Sequence, residues 1–491
     1  MQRVTSVVPV FCLAAAAAIG RGEDPPNILL ILADDLGVPN VGAYTRGPNG
    51  VPGNPPPTPN LDALAANGVL FRTAWATPIC SPSRATLMTG RHGFRTGLRC
   101  NVMFNNGLPL EERTLPELLG AIGYGSALIG KWHLGCTGQF GGLDAPRTAG
   151  WDHHAGTLGA APWCYYVWTK VTDGALSTCH TYITTENIND TLAWAQDQTG
   201  PWCCLLALNA PHSPFHEPPE DLHSFDLSSP SDLLCYKAMI EAMDTEIGRL
   251  LDGLGAELDD TLVIVTSDNG TPNSVLEPPY TTGKGTVYEG GVLVPLIVSG
   301  PMVADPGREH LEPVVLADVF ATVIEAAGVD PQALAGVSID GVSLLPMLTD
   351  ASAPAPRACG YTELVTSSSA RGHFAVRSPQ YKLVQRSSSE EFFDLQADPL
   401  ETNDLLHSGL PLSLEQSQAC NGLRDEFKAL RLDLCAADLD ADGIVGPIDL
   451  GLVLRHYEQG ANPAAGDIDG DGDVDQHDLG LLLAEYGFEC W

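Results

Sequence analysis

Four stretches of the chain are apolar without alternation and end in polar residues or a turn. They are PPNILLILADDLG at 25–37, CCLLALNAPHSPF at 203–215, DDTLVIVTSDNG at 259–270 and VPLIVSGP at 294–301. Unbroken apolarity between Pro or acidic flanks and Gly predicts strands covered on both faces. Between them lie helical patterns. TPNLDALAANGVLF at 58–71 predicts a helix capped by Thr58, with Pro59 in the first turn and Leu61, Leu64 and Ala65 on one face. TLPELLGAIGYG at 114–125 repeats the device, and SDLLCYKAMIEAMDTEIGRLLDGL at 231–254 is the longest amphipathic run. Strand–helix alternation predicts an α/β fold, and sites in such sheets form beyond the carboxyl ends of strands. The stretch 136–180 reads as loop-rich. From about 360, HFAVRSPQYKLVQRSSSEEFFDLQADP at 373–399 predicts short strands and turns, followed by helix near 411–434. Together they predict a smaller α+β subdomain packed on the sheet.

The last segment carries an internal repeat. AADLDADGIVGPIDLGLVLRHY and AAGDIDGDGDVDQHDLGLLLAEY match with an offset of 29 residues. In this register Asp438, Asp440, Asp442, Gly443 and Asp449 align with Asp467, Asp469, Asp471, Gly472 and Asp478. Oxygen ligands at loop positions 1, 3, 5 and 12, with Gly at 6, are what Ca²⁺ requires. Position 12 is Asp rather than Glu, which shortens the reach. The recurring Leu and Tyr positions distinguish the segment from a bland acidic tail. It resembles a dockerin, a family of paired calcium loop–helix units that dock onto a partner protein. Two readings stay open for it: a docking module, or a calcium-stabilised cap.

The start, MQRVTSVVPVFCLAAAAAIGRG, reads as an export signal cleaved between Ala18 and Gly22, which predicts a secreted, periplasmic or cell-surface protein. The resulting division is 1–22 signal, 23–360 catalytic domain, 361–434 subdomain and 435–491 calcium module. No later segment offers the 18 or more uninterrupted apolar residues of a membrane span. The chain has 25 Lys plus Arg against 61 Asp plus Glu, a formal net charge of −36. That field excludes a nucleic-acid backbone as partner. It also means that any anionic substrate must be held by local cations. Of 13 cysteines, Cys12 lies in the signal and Cys80 is assigned to chemistry below, leaving an odd number. An oxidising compartment allows several of these to pair, in a pattern the sequence leaves open, with at least one left free unless a bond forms between chains.

The candidate chemistry sits at the strand ends. Asp34-Asp35 and Asp268-Asn269 supply four oxygen side chains from two strand ends, a donor set for Ca²⁺ or Mg²⁺. Cys80-Ser81-Pro82-Ser83-Arg84 places Pro in the first turn of a helix and Cys80 at its N-terminus, where an anion is favoured. Arg84 reaches the same face one turn later. The competing reading of Cys80 is a structural cysteine before a helix. Basic residues are scarce in this chain, so Lys131 in GKWHLG (130–135) and Lys284 in GKGTVYEGG (283–291) stand out, although a lone Lys is more often a solvated surface charge.

Cys80-Ser-Pro-Ser-Arg84 resembles the sulfatase signature C-x-P-S-R, in which a maturation enzyme oxidises the cysteine to formylglycine. The resemblance spans about residues 25–410 and includes Asp34-Asp35, GKWHLG, NAPHSPF at 209–215, SDNG at 267–270 and GKGTVYEGG. It implies the alkaline phosphatase-like sulfatase fold, a large mixed central sheet flanked by helices. It implies Ca²⁺ held by Asp34, Asp35, Asp268, Asn269 and the modified residue 80. Arg84 would steady the aldehyde hydrate, with Lys131 and His133 flanking it. His212 and Lys284 would bind the sulfate ester and assist the leaving oxygen. The family's further polar position, expected after Gly150-Trp151-Asp152, has no clear match. The implied reaction has two steps: one hydroxyl of the hydrated formylglycine attacks sulfur and expels the alcohol, then deprotonation of the second hydroxyl releases sulfate. The expected substrate is a sulfated small molecule or saccharide, with extracellular carbohydrate suggested by export and the dockerin-like tail. Loops 98–110, 136–180 and 271–282 are expected to set specificity. The rival readings are a phosphonate or phosphodiester hydrolase of the same superfamily, and a binding protein on a degenerate enzyme fold.

Overall fold

A computed structural model describes residues 25–102, 106–365, 372–386, 389–434, 437–439, 445–457, 466–468 and 473–486. The expected export signal lies outside the described residues.

Sixteen strands are present among these residues. In chain order they are β1 (Asn27–Ala33), β2 (Gly68–Phe71), β3 (Ala74–Trp75), β4 (Gly125–Lys131), β5 (His153–Thr157), β6 (Trp168–Thr172), β7 (Ala175–Cys179) and β8 (Trp202–Ala207). The remainder are β9 (Thr261–Ser267), β10 (Leu296–Ser299), β11 (Arg308–His310), β12 (Val314–Val315), β13 (Gly360–Val365), β14 (Gly372–Arg377), β15 (Tyr381–Arg386) and β16 (Ser389–Asp394). Ten of them form one sheet in the order β11-β2-β10-β9-β1-β8-β4-β5-β6-β7. The run β9-β1-β8-β4-β5 is parallel, whereas β10, β6 and β7 run antiparallel to their neighbours, so the sheet is mixed.

β1 shows why its sequence is continuously apolar. Ile28, Leu30 and Leu32 enter the core on one face, with helices Cys80–Thr89, Leu115–Gly120 and Leu316–Ala326. Leu29, Ile31 and Ala33 enter the core on the other, with helices Pro59–Ala66, Ile183–Gln196 and Asp232–Leu254. A strand covered on both faces has no solvent side to alternate towards. All four strands expected from apolarity are present.

Two expectations are corrected. The segment 58–71 is not one helix. It is helical only over Pro59–Ala66, and Gly68–Phe71 is β2, paired with β10. Nor does Thr58 cap that helix by itself. Its hydroxyl accepts from Gly42 N, while the carboxylate of Asp244 accepts from Asn60 N and Leu61 N at 3.0 and 2.8 Å. The stretch 136–180 is also more ordered than expected, because it holds β5, β6 and β7. The β6–β7 hairpin turns on Asp173-Gly174, both at positive φ (47° and 80°), which matches the backbone twist of a two-residue hairpin.

The small subdomain is a four-stranded antiparallel sheet, β13-β14-β15-β16, with helix Leu414–Leu434. Tyr361, Phe374, Val376, Leu383 and Phe392 pack with Cys420, Leu423 and Phe427 of that helix. The alternate residues Leu364, Ala375, Val384 and Phe393 join the core of the large sheet, so the two share apolar packing. All ten described cysteines are free thiols. Cys203 and Cys204, for instance, are adjacent in β8 and enter opposite faces of the sheet. Among the described residues no helix is long and apolar enough to cross a membrane.

Candidate active site

The parallel strands deliver their carboxyl ends to one edge of the sheet, and the polar residues after them converge there. Asp34 and Asp35 follow β1, Lys131 ends β4, Asn209 follows β8, and Asp268 and Asn269 follow β9. β1 and β9 pair in register up to Ala33 with Ser267, so the two acidic pairs leave the sheet side by side. Asp35 N then donates to Asp268 Oδ1 at 3.2 Å, and Asn269 Nδ2 to Asp35 Oδ1 at 2.7 Å. Two chain reversals are tight. Asp35 (φ 72°) and His133 (φ 55°) occupy the left-handed region, which is uncommon for such residues and concentrates at functional sites. Gly130, before Lys131, has φ 104°, and a Cβ there would stand 2.0 Å from Ala207 O.

Cys80 opens the helix Cys80–Thr89 as its first residue, with Ile79 in extended conformation before it and Pro82 in its first turn. Its Sγ lies 3.6 Å from Asp34 Oδ1, 3.4 Å from Asn269 Oδ1 and 3.3 Å from Lys284 Nζ. Ser81 Oγ donates to His133 O, and Ser83 Oγ pairs with Thr77 Oγ1 at 2.7 Å, so the two serines of the motif hold the turn. Arg84 donates through Nε and Nη2 to Asp268 Oδ2 and through Nη1 to Lys131 O. Lys131 Nζ stands 2.5 Å from Asp34 Oδ2, and Lys284 Nζ is paired with Asp35 Oδ1. His212 Nε2 is 3.7 Å from Asp35 Oδ2, while its Nδ1 is 2.7 Å from Ser213 O. Every active-site residue expected from sequence is therefore at this strand-end edge.

The electrostatics follow from burial. Burial, with Asp268 next, pushes the Cys80 thiol far up, outweighing Lys131. An unmodified Cys80 is therefore protonated and a poor nucleophile. Burial would also raise Asp34, but Lys131, His212 and Arg84 hold it below its ordinary value. Lys284 would be lowered by burial, and Asp35 raises it instead. His133 is pushed well below its ordinary value by burial and then by Lys131, Arg84 and Lys284, so its imidazole is neutral.

The residues fit a hard divalent cation. Single ligand atoms of Asp34, Asp35, Cys80 and His212 lie within 4.8 Å of one another. Asn269 Oδ1 adds an amide oxygen beside Cys80, and Asp268 a carboxylate oxygen at Asp35. Three carboxylates (Asp34, Asp35, Asp268) face three cations (Arg84, Lys131, Lys284), which sums to no net charge. A divalent cation on these oxygens would leave the pocket positive towards an anionic ester.

Two site residues were not picked out from sequence. Asn209 Nδ2 donates to Thr157 Oγ1 at 3.1 Å, and Asn209 Oδ1 is buried without a partner. Both stand immediately after or at the carboxyl end of a parallel strand, β8 and β5, and that rule alone marks them. Asp152, next to the unassigned polar position, accepts from Ser126 N and Oγ at the opposite end of β4 and belongs to the scaffold.

The C-terminal repeat recurs in three dimensions. Helices Pro447–His456 and Gln476–Glu485 share a core of Ala437, Val445, Val453, Val474 and Leu482. Asp449 accepts from Leu439 N and Gly446 N, both at 2.7 Å, and Asp478 from Ile468 N and Asp475 N at 2.6 and 2.8 Å. Each contact recurs with the 29-residue offset. Asp473, Asp475 and Asp478 bring single oxygens within 4.8 Å of one another. Asp438 and Asp467 are described, whereas Asp440, Asp442, Asp469 and Asp471 lie outside the described residues.

Comparison with known proteins agrees with the geometry. The Sulfatase family model matches residues 26–329, and the model for the C-terminal region of N-sulphoglucosamine sulphohydrolase matches 282–425. Human arylsulfatase A is 32% identical over 430 residues, covering 79% of this chain and 80% of that protein. Pig N-acetylgalactosamine-6-sulfatase is 32% identical over 376 residues, 68% of each. The crystal structure of Ps i-CgsB superposes with a TM-score of 0.72 at 27% identity, covering 83% of this chain and 93% of that one. The chain belongs to the sulfatase family and is a sulfuric ester hydrolase.

Proposed function

We propose that this enzyme removes sulfate from carbohydrate, using formylglycine made from Cys80 and a bound Ca²⁺. The single observation that carries the reading is the convergence on Cys80 Sγ of Asp34, Asn269 and Lys284 from three separate parts of the chain. A hydrated formylglycine supplies two geminal hydroxyls, one to attack sulfur and one to release sulfate, chemistry that thiol or serine lacks. A cation held by Asp34, Asp35, Asp268 and Asn269 supplies Lewis acidity toward the sulfuryl oxygens.

The chain's own residues do the rest. Lys131 and Lys284 face the two ligand carboxylates and the residue-80 side chain. They offset negative charge that develops on the ester. Arg84 holds Asp268 and the end of β4 in place. His212, only partly buried, stands at the mouth, where it can donate a proton to the departing alcohol oxygen. Neutral His133, whose buried Nδ1 has no partner, is able to accept or donate one hydrogen bond without adding charge. Support for carbohydrate comes from two relatives: the N-acetylgalactosamine-6-sulfatase, and Ps i-CgsB, which was also solved with k-i-k-neocarrahexaose at a TM-score of 0.71.

The test is turnover of sulfate, phosphate and phosphonate esters by protein whose aldehyde content is measured with a hydrazide probe. Sulfate release should dominate and scale with aldehyde content. Dominant phosphodiester cleavage, or full activity in Cys80→Ala, would sink the proposal.

For the C-terminal repeat we propose calcium loops at Asp438, Asp440, Asp442 and Asp449, and at Asp467, Asp469, Asp471 and Asp478. They would hold a dockerin-like module that engages a protein partner of an exported enzyme. Pull-down with and without chelator tests it, and absence of a calcium-sensitive partner would favour a terminal cap.

A further inference from the structure

Beside the site lies a cleft that the reaction above does not use. It encloses about 420 Å³ between β5, the β6–β7 hairpin and the loop between β5 and β6. Its apolar walls include Leu143, Trp163, Val167 and Leu176, and Thr169 and Thr178 add hydroxyls. No Asp, Glu, Lys, Arg or His lines it.

Trp163 is the anomaly. Trp75, Trp132, Trp151, Trp168 and Trp202 are buried, whereas Trp163 is 100% exposed. Leu143, Val167 and Leu176 around it are exposed at 42%, 51% and 59%. A contiguous apolar patch of this kind on a water-facing surface marks a place where something binds.

Two wall residues of the cleft are tied to the catalytic edge. Thr157 lines it, accepts from Asn209 Nδ2 and, through its carbonyl, from Trp132 N at 2.9 Å. Leu158 lines it too, and its carbonyl accepts from His133 N at 3.2 Å. A ligand seated there lies one strand end away from Lys131 and the residues around Cys80. The lining suits a neutral body with apolar faces and hydroxyl edges. Sugar rings have that character: axial C–H faces that stack on an indole, and hydroxyls that meet threonines.

We propose that this cleft is a saccharide subsite, in which Trp163 stacks on an uncharged ring adjoining the sulfated one. The inference rests on the carbohydrate reading and narrows it to oligosaccharides with an unsulfated ring next to the scissile ester.

The test compares wild type, Trp163→Ala and Trp163→Phe on sulfated carrageenan, chondroitin and heparin oligosaccharides. 4-Nitrophenyl sulfate serves as a substrate too small to fill the cleft. Trp163→Ala should raise KM for the best oligosaccharide about tenfold, with kcat within about twofold. It should leave kcat/KM for 4-nitrophenyl sulfate within about twofold, and Trp163→Phe should recover most of the loss. Unchanged oligosaccharide KM, or equal losses on both substrate types, would overturn the subsite. So would an enzyme that hydrolyses 4-nitrophenyl sulfate and no oligosaccharide. If no sulfate ester of any kind is hydrolysed, the carbohydrate reading fails instead. Calorimetric titration of Cys80→Ala protein, with and without Trp163→Ala, against the desulfated hexasaccharides then decides the subsite without catalysis. Weaker binding to the double variant supports it, and equal or absent binding overturns it.

Discussion

Arg84 and Asp268 are locked together: two guanidinium nitrogens, Nε at 3.0 Å and Nη2 at 2.7 Å, share the single oxygen Oδ2. Both side chains are almost wholly buried. The third nitrogen holds Lys131 O, so one arginine ties the helix of Cys80 to the ends of β9 and β4. Arg84 thus positions Asp268 and the end of β4, in addition to the steadying of the aldehyde hydrate that the family resemblance implies.

A planar fork cannot be replaced by a point charge at such a place. Arg84→Lys is expected to lower kcat/KM about 100-fold and to destabilise the fold by about 3 kcal/mol, the usual cost of breaking a buried ion pair. Parallel kinetics and denaturant melts check this. Near-normal values of both would mean that the lock is dispensable.

The two lysines should separate in their stability effects. Lys131 is fully buried, and its loss removes the nearest cation from the buried Asp34, leaving only the more distant Arg84 and His212. Lys284 approaches from a loop and keeps 18% side-chain exposure. Lys131→Ala should therefore lose both activity and several degrees of Tm, whereas Lys284→Ala should lose activity with a much smaller change in Tm. Equal melting shifts would contradict this assignment.

Metal removal gives a third test. Dialysis against EGTA should abolish sulfate release and lower Tm, and Ca²⁺ should restore both, because a ligand bound only by the native state stabilises it. Asp35→Asn should weaken the restoration by raising the Ca²⁺ concentration needed. Full activity in rigorously metal-free protein would refute a catalytic cation.

His154 predicts an acid response. It is buried in β5 with the Gly130 backbone as its hydrogen-bonding neighbour, and burial lowers its pKa to about 4. The Gly130 backbone and then Asp173 oppose that shift, and His153 adds to it. Because the folded state binds fewer protons than the unfolded chain, stability is intact above about pH 6.5 and falls as pH drops toward 4. The loss should reach about 3 kcal/mol. His154→Leu should show a flatter stability profile between pH 6.5 and 4, measured by urea melts at each pH. Identical slopes would show that another group governs acid unfolding.

The strands carrying the acidic pairs were legible because both of their faces are covered, so residue type alone marks them. The motifs around Cys80, Lys131 and Lys284 were legible because each is short and local. What stayed hidden was non-local or turn-based. Gly68–Phe71 continues an apolar helical pattern, and only pairing of Val69 and Leu70 with Val298 and Ile297 makes it a strand. The β6–β7 hairpin was announced by Asp173-Gly174 but obscured by the irregular residues around it. Asn209 and Thr157 belong together only because β8 and β5 flank β4, a fact of sheet order that no linear spacing contains.

Asp35 and Asp268 are 233 positions apart, yet the backbone N–H of the first donates to the side-chain carboxylate of the second. A chain emerging from the ribosome thus presents residue 80 long before the segment that walls it in has been synthesised. Under the proposed conversion of Cys80, a modifying enzyme would have a window that opens with translation and shuts when the second half of the domain docks. The pacing of synthesis against folding would then determine how many finished molecules can work.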